Sequence, residues 1–168
     1  GAGGIGFDVS EFLVEKHSLT TEPDKWLKNW GIDKNFDNPG ALIPCEVEAP
    51  KREIFLLQRK SSKVGSGLGK TTGWIHRAAL KQKQVKMLNN VDYKKIDDQG
   101  FHITVNDEPM TLKIDNIVIC AGQTPLKELE DKLVSNGHKV HLIGGADVAS
   151  ELDAKRAIRQ GAELASII

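Results

Sequence analysis

Apolar residues near the start of the chain fall at Ile5, Val9, Phe12 and Leu13, spaced i, i+4, i+7 and i+8, which lines one side of a helix. A first helix is therefore expected directly behind the opening run GAGGIG. The rhythm then lapses. HSLTTEPDKWLKNWGIDKNFDNPGALIPCEVEAPK is polar and rich in Pro, Asn, Asp and Gly, and reads as a surface insertion from about 18 to 50. Within it, Glu22 to Trp30 predicts a short helix that Gly31 stops. Ile54 to Leu57 is a continuous apolar run of the kind that forms a buried parallel strand. A second helix is expected after the glycine-rich stretch that ends in GLGKTTG. Val85 to Leu88 predicts another strand. Three alternating strands follow, roughly Asp92 to Ile96, Phe101 to Val105 and Met110 to Ile114, separated by the turn sequences DDQG and NDEP. NIVICAG reads as a strand ending in the small residues Ala121 and Gly122. The tail predicts a helix from about Leu126 to Val134, a strand HLIGG and a last helix from Glu151 to Ile168.

Strands alternating with helices, broken once by an antiparallel meander, give an α/β class. The expected architecture is a Rossmann-like parallel sheet with helices on both faces and a three-stranded antiparallel β-meander crossover. Its first strand, which should precede Gly1, is expected to be missing.

Composition adds limits rather than identity. With 168 residues, 39% apolar and 27% charged, the chain can bury a sizeable core as a soluble globular protein. Twenty-three basic residues balance twenty-three acidic ones, so no global field draws in nucleic acid or a membrane surface, and anion recognition has to be local. Cys45 and Cys120 lie far apart, which suggests reduced thiols and a cytoplasmic setting. The five histidines lack ligand spacing, so no metal site is expected in these residues.

The candidate chemistry is anion binding. Gly1, Gly3 and Gly6 have the G-x-G-x-x-G spacing in which the first glycine turns tightly, the second lets backbone approach a pyrophosphate and the third lets helix and strand pack closely. A cloning scar and a fragment of a longer chain both explain its position at the start. The strand Ile54 to Leu57 runs into Gln58, Arg59 and Lys60, where a dinucleotide-binding fold reads the adenine ribose. With no Asp or Glu there, a guanidinium at Arg59 suits the 2′-phosphate of NADPH, with Lys60 or Lys63 in support. An ordinary solvated basic patch is the other reading. GLGKTTG fails as a P-loop, because the position that needs glycine is Val64. His76 and Arg77 read as partly exposed helix residues. Trp26 and Trp30, at i, i+4, read as pins for the insertion or as an aromatic platform. Asp147 and Ser150 cap a helix or contact a cofactor.

LLQRKSSKVGSGLGKTTGWIHR, YKKIDDQG, NIVICAGQTP and VHLIGGADVASELDAKRAIRQG together resemble the C-terminal portion of the bacterial NADPH-dependent 2,4-dienoyl-CoA reductases, within the pyridine nucleotide-disulfide reductase-like flavoproteins. The resemblance covers most of the chain and is weakest in the insertion. It implies a parent enzyme with an FMN and 4Fe-4S barrel and an FAD domain interrupted by an NADPH domain. Hydride would pass from NADPH to FAD, and electrons on to an unsaturated acyl-CoA. The resemblance divides this chain into an NADPH domain, 1–122, and a closing segment of the FAD domain, 123–168. It assigns Gly1, Gly3, Gly4 and Gly6 to the pyrophosphate turn, Arg59 and Lys60 to the 2′-phosphate, and Ala121 and Gly122 to close cofactor approach. Gly145, Asp147 and Val148 would lie on the flavin side, forming part of an FAD site. No catalytic residue is expected here, and the isolated chain should be inactive without the FMN barrel and the rest of the FAD domain. A trimethylamine dehydrogenase-like or enoate reductase-like parent, and a non-catalytic NADPH-sensing module, are the alternatives.

Overall fold

The computed structural model describes residues 1–150 and 153–168. The chain divides into two compact units, Gly1–Cys120 and Ala121–Ile168.

In the first unit, α1 (Gly4–Val14) is followed by the insertion, which carries α2 (Pro23–Asn29) and a 3-10 turn, Pro39–Ala41. Strand β1 (Phe55–Leu57) leads to α3 (Gly73–Gln82), and β2 (Lys86–Leu88) returns beside β1 as a parallel pair, with Leu56 opposite Met87. The meander is β3 (Val91–Asp97), β4 (Gly100–Val105) and β5 (Glu108–Leu112), antiparallel throughout. The fold is thus α/β, with a two-stranded parallel sheet and a three-stranded antiparallel one.

The alternation of β1 explains how the layers stack. Successive strand side chains point to opposite faces. Leu56 enters a core with Ala2, Phe7, Val14, Val64, Leu80 and Val85. Its neighbours Phe55 and Leu57 turn the other way, onto a second core of Val91, Ile103 and Leu112 from the meander. The helices and the meander therefore sandwich the parallel pair in this unit. Gly65 shows how tightly the first core is packed: it has φ +75°, and a Cβ there would lie 2.6 Å from the Phe7 ring.

Turn chemistry sets the meander register. Asn106 and Asp107 both have positive φ, +52° and +69°, as a two-residue type I′ hairpin requires. Val105 therefore pairs with Glu108, and β5 starts two residues before the expected Met110, ending at Leu112 rather than Ile114. Pro109 is accommodated because β5 is an edge strand. At the other hairpin, Asp97 pairs with Gly100. Its carboxylate receives the Lys95 ammonium at 2.7 Å, His102 Nε2 at 2.7 Å and the Gln99 amide at 3.0 Å.

The second unit holds α4 (Glu130–Ser135), a 3-10 turn Gly144–Ala146 and α5 (Ala154–Ala165). Helix α4 is shorter than expected and starts later. Two expected strands are absent among the described residues: NIVICAG (116–122) and HLIGG (141–145) pair with nothing. Their apolar composition suits a buried strand, but a strand exists only through its ladder. Without a partner Ile119 stays 81% exposed. The last helix is seen from Ala154, where Asp153 caps the Arg156 amide at 2.7 Å; the expected start at Glu151 lies outside the described residues.

The Lys95 ammonium, then His102, holds the Asp97 carboxyl well below the usual carboxylate range. A depressed folded-state pKa adds stability above the unfolded value of about 3.8, and that stability is lost as pH falls below it. Asp97→Asn should therefore lower the thermal midpoint at pH 7, and the gap to wild type should close toward pH 2. Calorimetric melts across that range check this.

Candidate functional site

The opening glycines form the N-terminus of α1. Gly3 occupies the N-cap with extended backbone and no side-chain cap, and no acidic residue stands in the first turn. The first intrahelical bond runs from the Phe7 amide to the Gly3 carbonyl at 3.1 Å. The amides of Gly4, Ile5 and Gly6 find no acceptor among the described residues. Such a turn presents free donors and the positive end of a helix dipole.

The glycines differ in what they accommodate. A Cβ on Gly3 or Gly4 meets nothing within 4 Å, so protein packing gives no reason for glycine at either position. A Cβ on Gly6 would run into the Gly1 carbonyl and come 3.3 Å from Leu56 Cδ1. Gly6 thus lets α1 settle against β1, while Gly3 and Gly4 leave space outside the protein. This fits a pyrophosphate on the turn, with the backbone of Gly3, Gly4 and Gly6 as its cradle.

β1 ends in a loop whose carbonyls are largely committed. The Gln58 side-chain amide donates to the carbonyls of Lys60 (3.0 Å) and Ser62 (2.8 Å). Asn90 donates its backbone amide to Lys60 at 3.0 Å, Val91 donates to Gln58 at 3.0 Å, and the Asn89 side chain donates to Ser61 at 2.6 Å. The loop is pinned to the start of the meander by its carbonyls. The Arg59 and Lys60 side chains are exposed, and neither has an ion-pair partner among the described residues. Burial raises the Tyr93 phenol above its ordinary value, and the Arg59 guanidinium opposes that rise.

One signal was available in the sequence but lies outside the motif logic: from Ile54 to Val91 there is no Asp or Glu, against eight Lys and Arg. Neutrality of the whole chain hides this local excess. Three of the eight are occupied, Arg77 on the Gly65 carbonyl, Lys83 on the Glu48 carbonyl and Lys86 on Glu53. Arg59, Lys60, Lys63, Lys70 and Lys81 are left without an ion-pair partner among the described residues.

In the second unit, Gly145 lines an open hollow with Gln123, Thr124, Leu126, Ala146 and Ala149. The segment following Ala121 and Gly122 and the GGAD turn therefore come together there. Gly122 has φ +78°, and nothing stands within 4 Å of where its Cβ would be. Asp147 is already engaged: one carboxylate oxygen accepts from the Gln160 amide at 3.0 Å, while the Gln160 oxygen accepts from the Gly144 amide at 2.8 Å. Val148 is exposed, and its carbonyl accepts from Arg156 at 2.6 Å.

No protein-family model matches the chain. It is 23% identical over 146 residues to a metal reductase of Desulforamulus reducens, covering 87% of this chain and 21% of that protein. Among solved structures it resembles a 2-naphthoyl-CoA reductase in complex with 2-naphthoyl-CoA, with a TM-score of 0.56, 21% identity, and 70% of this chain and 18% of that one covered. The chain resembles one segment of larger reductases. It spans about a fifth of the length of each.

The other sequence candidates have structural work. In GLGKTTG the Gly69 carbonyl accepts from the amides of Thr72 (3.3 Å) and Gly73 (2.8 Å), a tight entry into α3. His76 bridges to Glu11 at 3.3 Å and so ties α3 to α1. The rings of Trp26 and Trp30 pack on each other with centroids 6.3 Å apart.

The two glycine roles separate by substitution. Gly3→Ala should leave unfolding free energy within about 0.5 kcal/mol of wild type. Gly6→Ala should cost about 1 to 3 kcal/mol through overpacking against Gly1 and Leu56. Urea unfolding of both variants measures the contrast.

Proposed function

We propose that this chain is the NADPH-binding part, with a closing segment of the FAD domain, of a flavin-dependent reductase of the 2,4-dienoyl-CoA reductase type. The observation that carries this is the pairing of a bare glycine turn at the start of α1 with cations at the end of β1 that have no ion-pair partner among the described residues. Gly1, Gly3, Gly4 and Gly6 would hold the pyrophosphate through backbone amides. Arg59 would clamp the 2′-phosphate, and Lys60 would add charge. When bound, NADPH supplies the hydride that reduces the flavin.

The chain's own residues bind and orient. Gly6 fixes the helix start against Leu56, and the Gln58-stitched loop fixes where Arg59 leaves the strand. The distance between the two phosphate sites is thereby a property of backbone rather than of flexible side chains. Ala121 and Gly122, at the end of the NADPH-binding part, would allow close approach of the cofactor, and Gly145 would lie on the flavin side. Asp147 would offer its remaining carboxylate oxygen to a ribityl hydroxyl, and Val148 would pack on the flavin side. The FMN barrel, the 4Fe-4S cluster and the acyl-CoA site belong in this reading to other parts of the parent protein. The domain division is placed at 122/123, and the setting is cytoplasmic. The setting is supported by the two cysteines, Cys45 and Cys120, which are both free.

Similarity to a metal reductase favours a second reading, in which the same NADPH module feeds an acceptor other than an acyl thioester. Both readings share the nicotinamide site and differ in substrate.

Arg59→Ala should weaken NADPH by about 1.5 to 3 kcal/mol, the range for one lost charge-assisted contact, and leave NADH nearly unchanged. Calorimetric titration of both nucleotides into the chain, or NADPH and NADH kinetics of the parent enzyme, reads this. Equal effects on the two cofactors would refute the 2′-phosphate assignment.

A further inference from the structure

Tyr93 is the chain's one tyrosine, and the functional reading so far gives it no role. It lies on β3 opposite Ile103 of β4, two residues after Val91, whose amide is bonded to the Gln58 carbonyl in the basic loop. A register irregularity follows immediately, between Tyr93 and Lys95. Such bulges twist a strand and re-aim the side chains beside them. The Tyr93 ring is stacked on Phe101, with centroids 5.6 Å apart and planes at 29°. Phe101 supports one side of the ring and is itself packed on the meander core, yet Tyr93 remains 40% exposed. A supported and partly open aromatic ring thus lies on the strand whose first residue is bonded to the loop that carries Arg59, a guanidinium with no ion-pair partner among the described residues.

We propose that the Tyr93 ring, held by Phe101, is the platform on which a purine base stacks when the phosphate on its ribose is bound by Arg59 and Lys60. The inference rests on the nucleotide reading above and adds the base to it. A 2′-phosphate on Arg59 belongs to the adenosine half of the dinucleotide, so the stacked base is adenine. Every base offers a π-face, and an aromatic side chain that is already immobilised loses little freedom on stacking. Phosphate on the cation and base on the ring then recognise the ligand at two points, with the Gln58 loop fixing their separation.

The test uses the full 168-residue chain and 2′,5′-ADP, with 5′-AMP as the ligand lacking the 2′-phosphate. Tyr93→Leu should weaken both nucleotides by about tenfold, and Tyr93→Phe should leave both unchanged. Arg59→Ala should instead abolish the preference for 2′,5′-ADP over 5′-AMP. In the wild type, proton NMR of the single tyrosine should show nuclear Overhauser contacts from its ring to adenine H2 or H8. If Tyr93→Leu fails to fold, that contact alone decides. Wild-type binding of 2′,5′-ADP with no such contact, or with undiminished affinity in Tyr93→Leu, overturns the platform and leaves the NADPH reading standing. No binding of either nucleotide by the wild type overturns both.

Discussion

Leu56 under Gly6 is the contact around which the Gly1–Cys120 unit is built. A helix backbone can come this close to a strand side chain only where the helix carries no Cβ, and at Gly6 it carries none. The same strand turns Phe55 and Leu57 to its other face, onto the meander. One short strand therefore sets the position of the α1 N-terminus and, at its own end, that of the loop with Arg59. A binding site built from these two places inherits its geometry from a packed core, not from loop conformation.

Electrostatics follows the same local logic. The chain is neutral as a whole, yet its acidic residues are excluded from Ile54 to Val91. Elsewhere the surface is laced with ion pairs, among them Lys34 with Asp24 and Lys95 with Asp97. Exposed pairs of this kind add little stability, but each removes a cation from availability to a ligand. Arg59 has no ion-pair partner among the described residues. The loop carbonyls, which would otherwise attract these cations, are consumed by Gln58, Asn89, Asn90 and Val91.

Much of this was legible in the residues. The existence of α1 and the apolar run of β1 were read correctly, but the stripe of α1 was not. Phe7 and Val14 face the core, whereas Ile5 and Phe12, which the spacing put on the buried side, are exposed, because the helix turns its glycine face, at Gly6, to β1. The meander was legible because its turns have few chemical solutions; only the edge of β5 slipped, since NDEP is used as a two-residue turn rather than a four-residue one. NIVICAG and HLIGG misled for the opposite reason. Composition describes what a segment would do beside a partner, and among the described residues no strand pairs with either. In the site, the glycine spacing pointed to the turn and to its division of labour, since Gly3 faces open space and Gly6 packs against Gly1 and Leu56. The bonds from Asn89, Asn90 and Val91 to the loop carbonyls were invisible because they join residues distant in sequence, and the Tyr93–Phe101 stack because it depends on the exact register of the hairpin.

Phosphorus NMR of NADPH during titration with the chain observes the two anchoring points at once, since the pyrophosphate and the 2′-phosphate give separate resonances. A glycine turn and a basic strand end that together hold one dinucleotide predict that both sets of signals shift or broaden in parallel. Signals that stay unmoved at saturating protein, or a 2′-phosphate that remains free while the pyrophosphate responds, would contradict the proposed NADPH site.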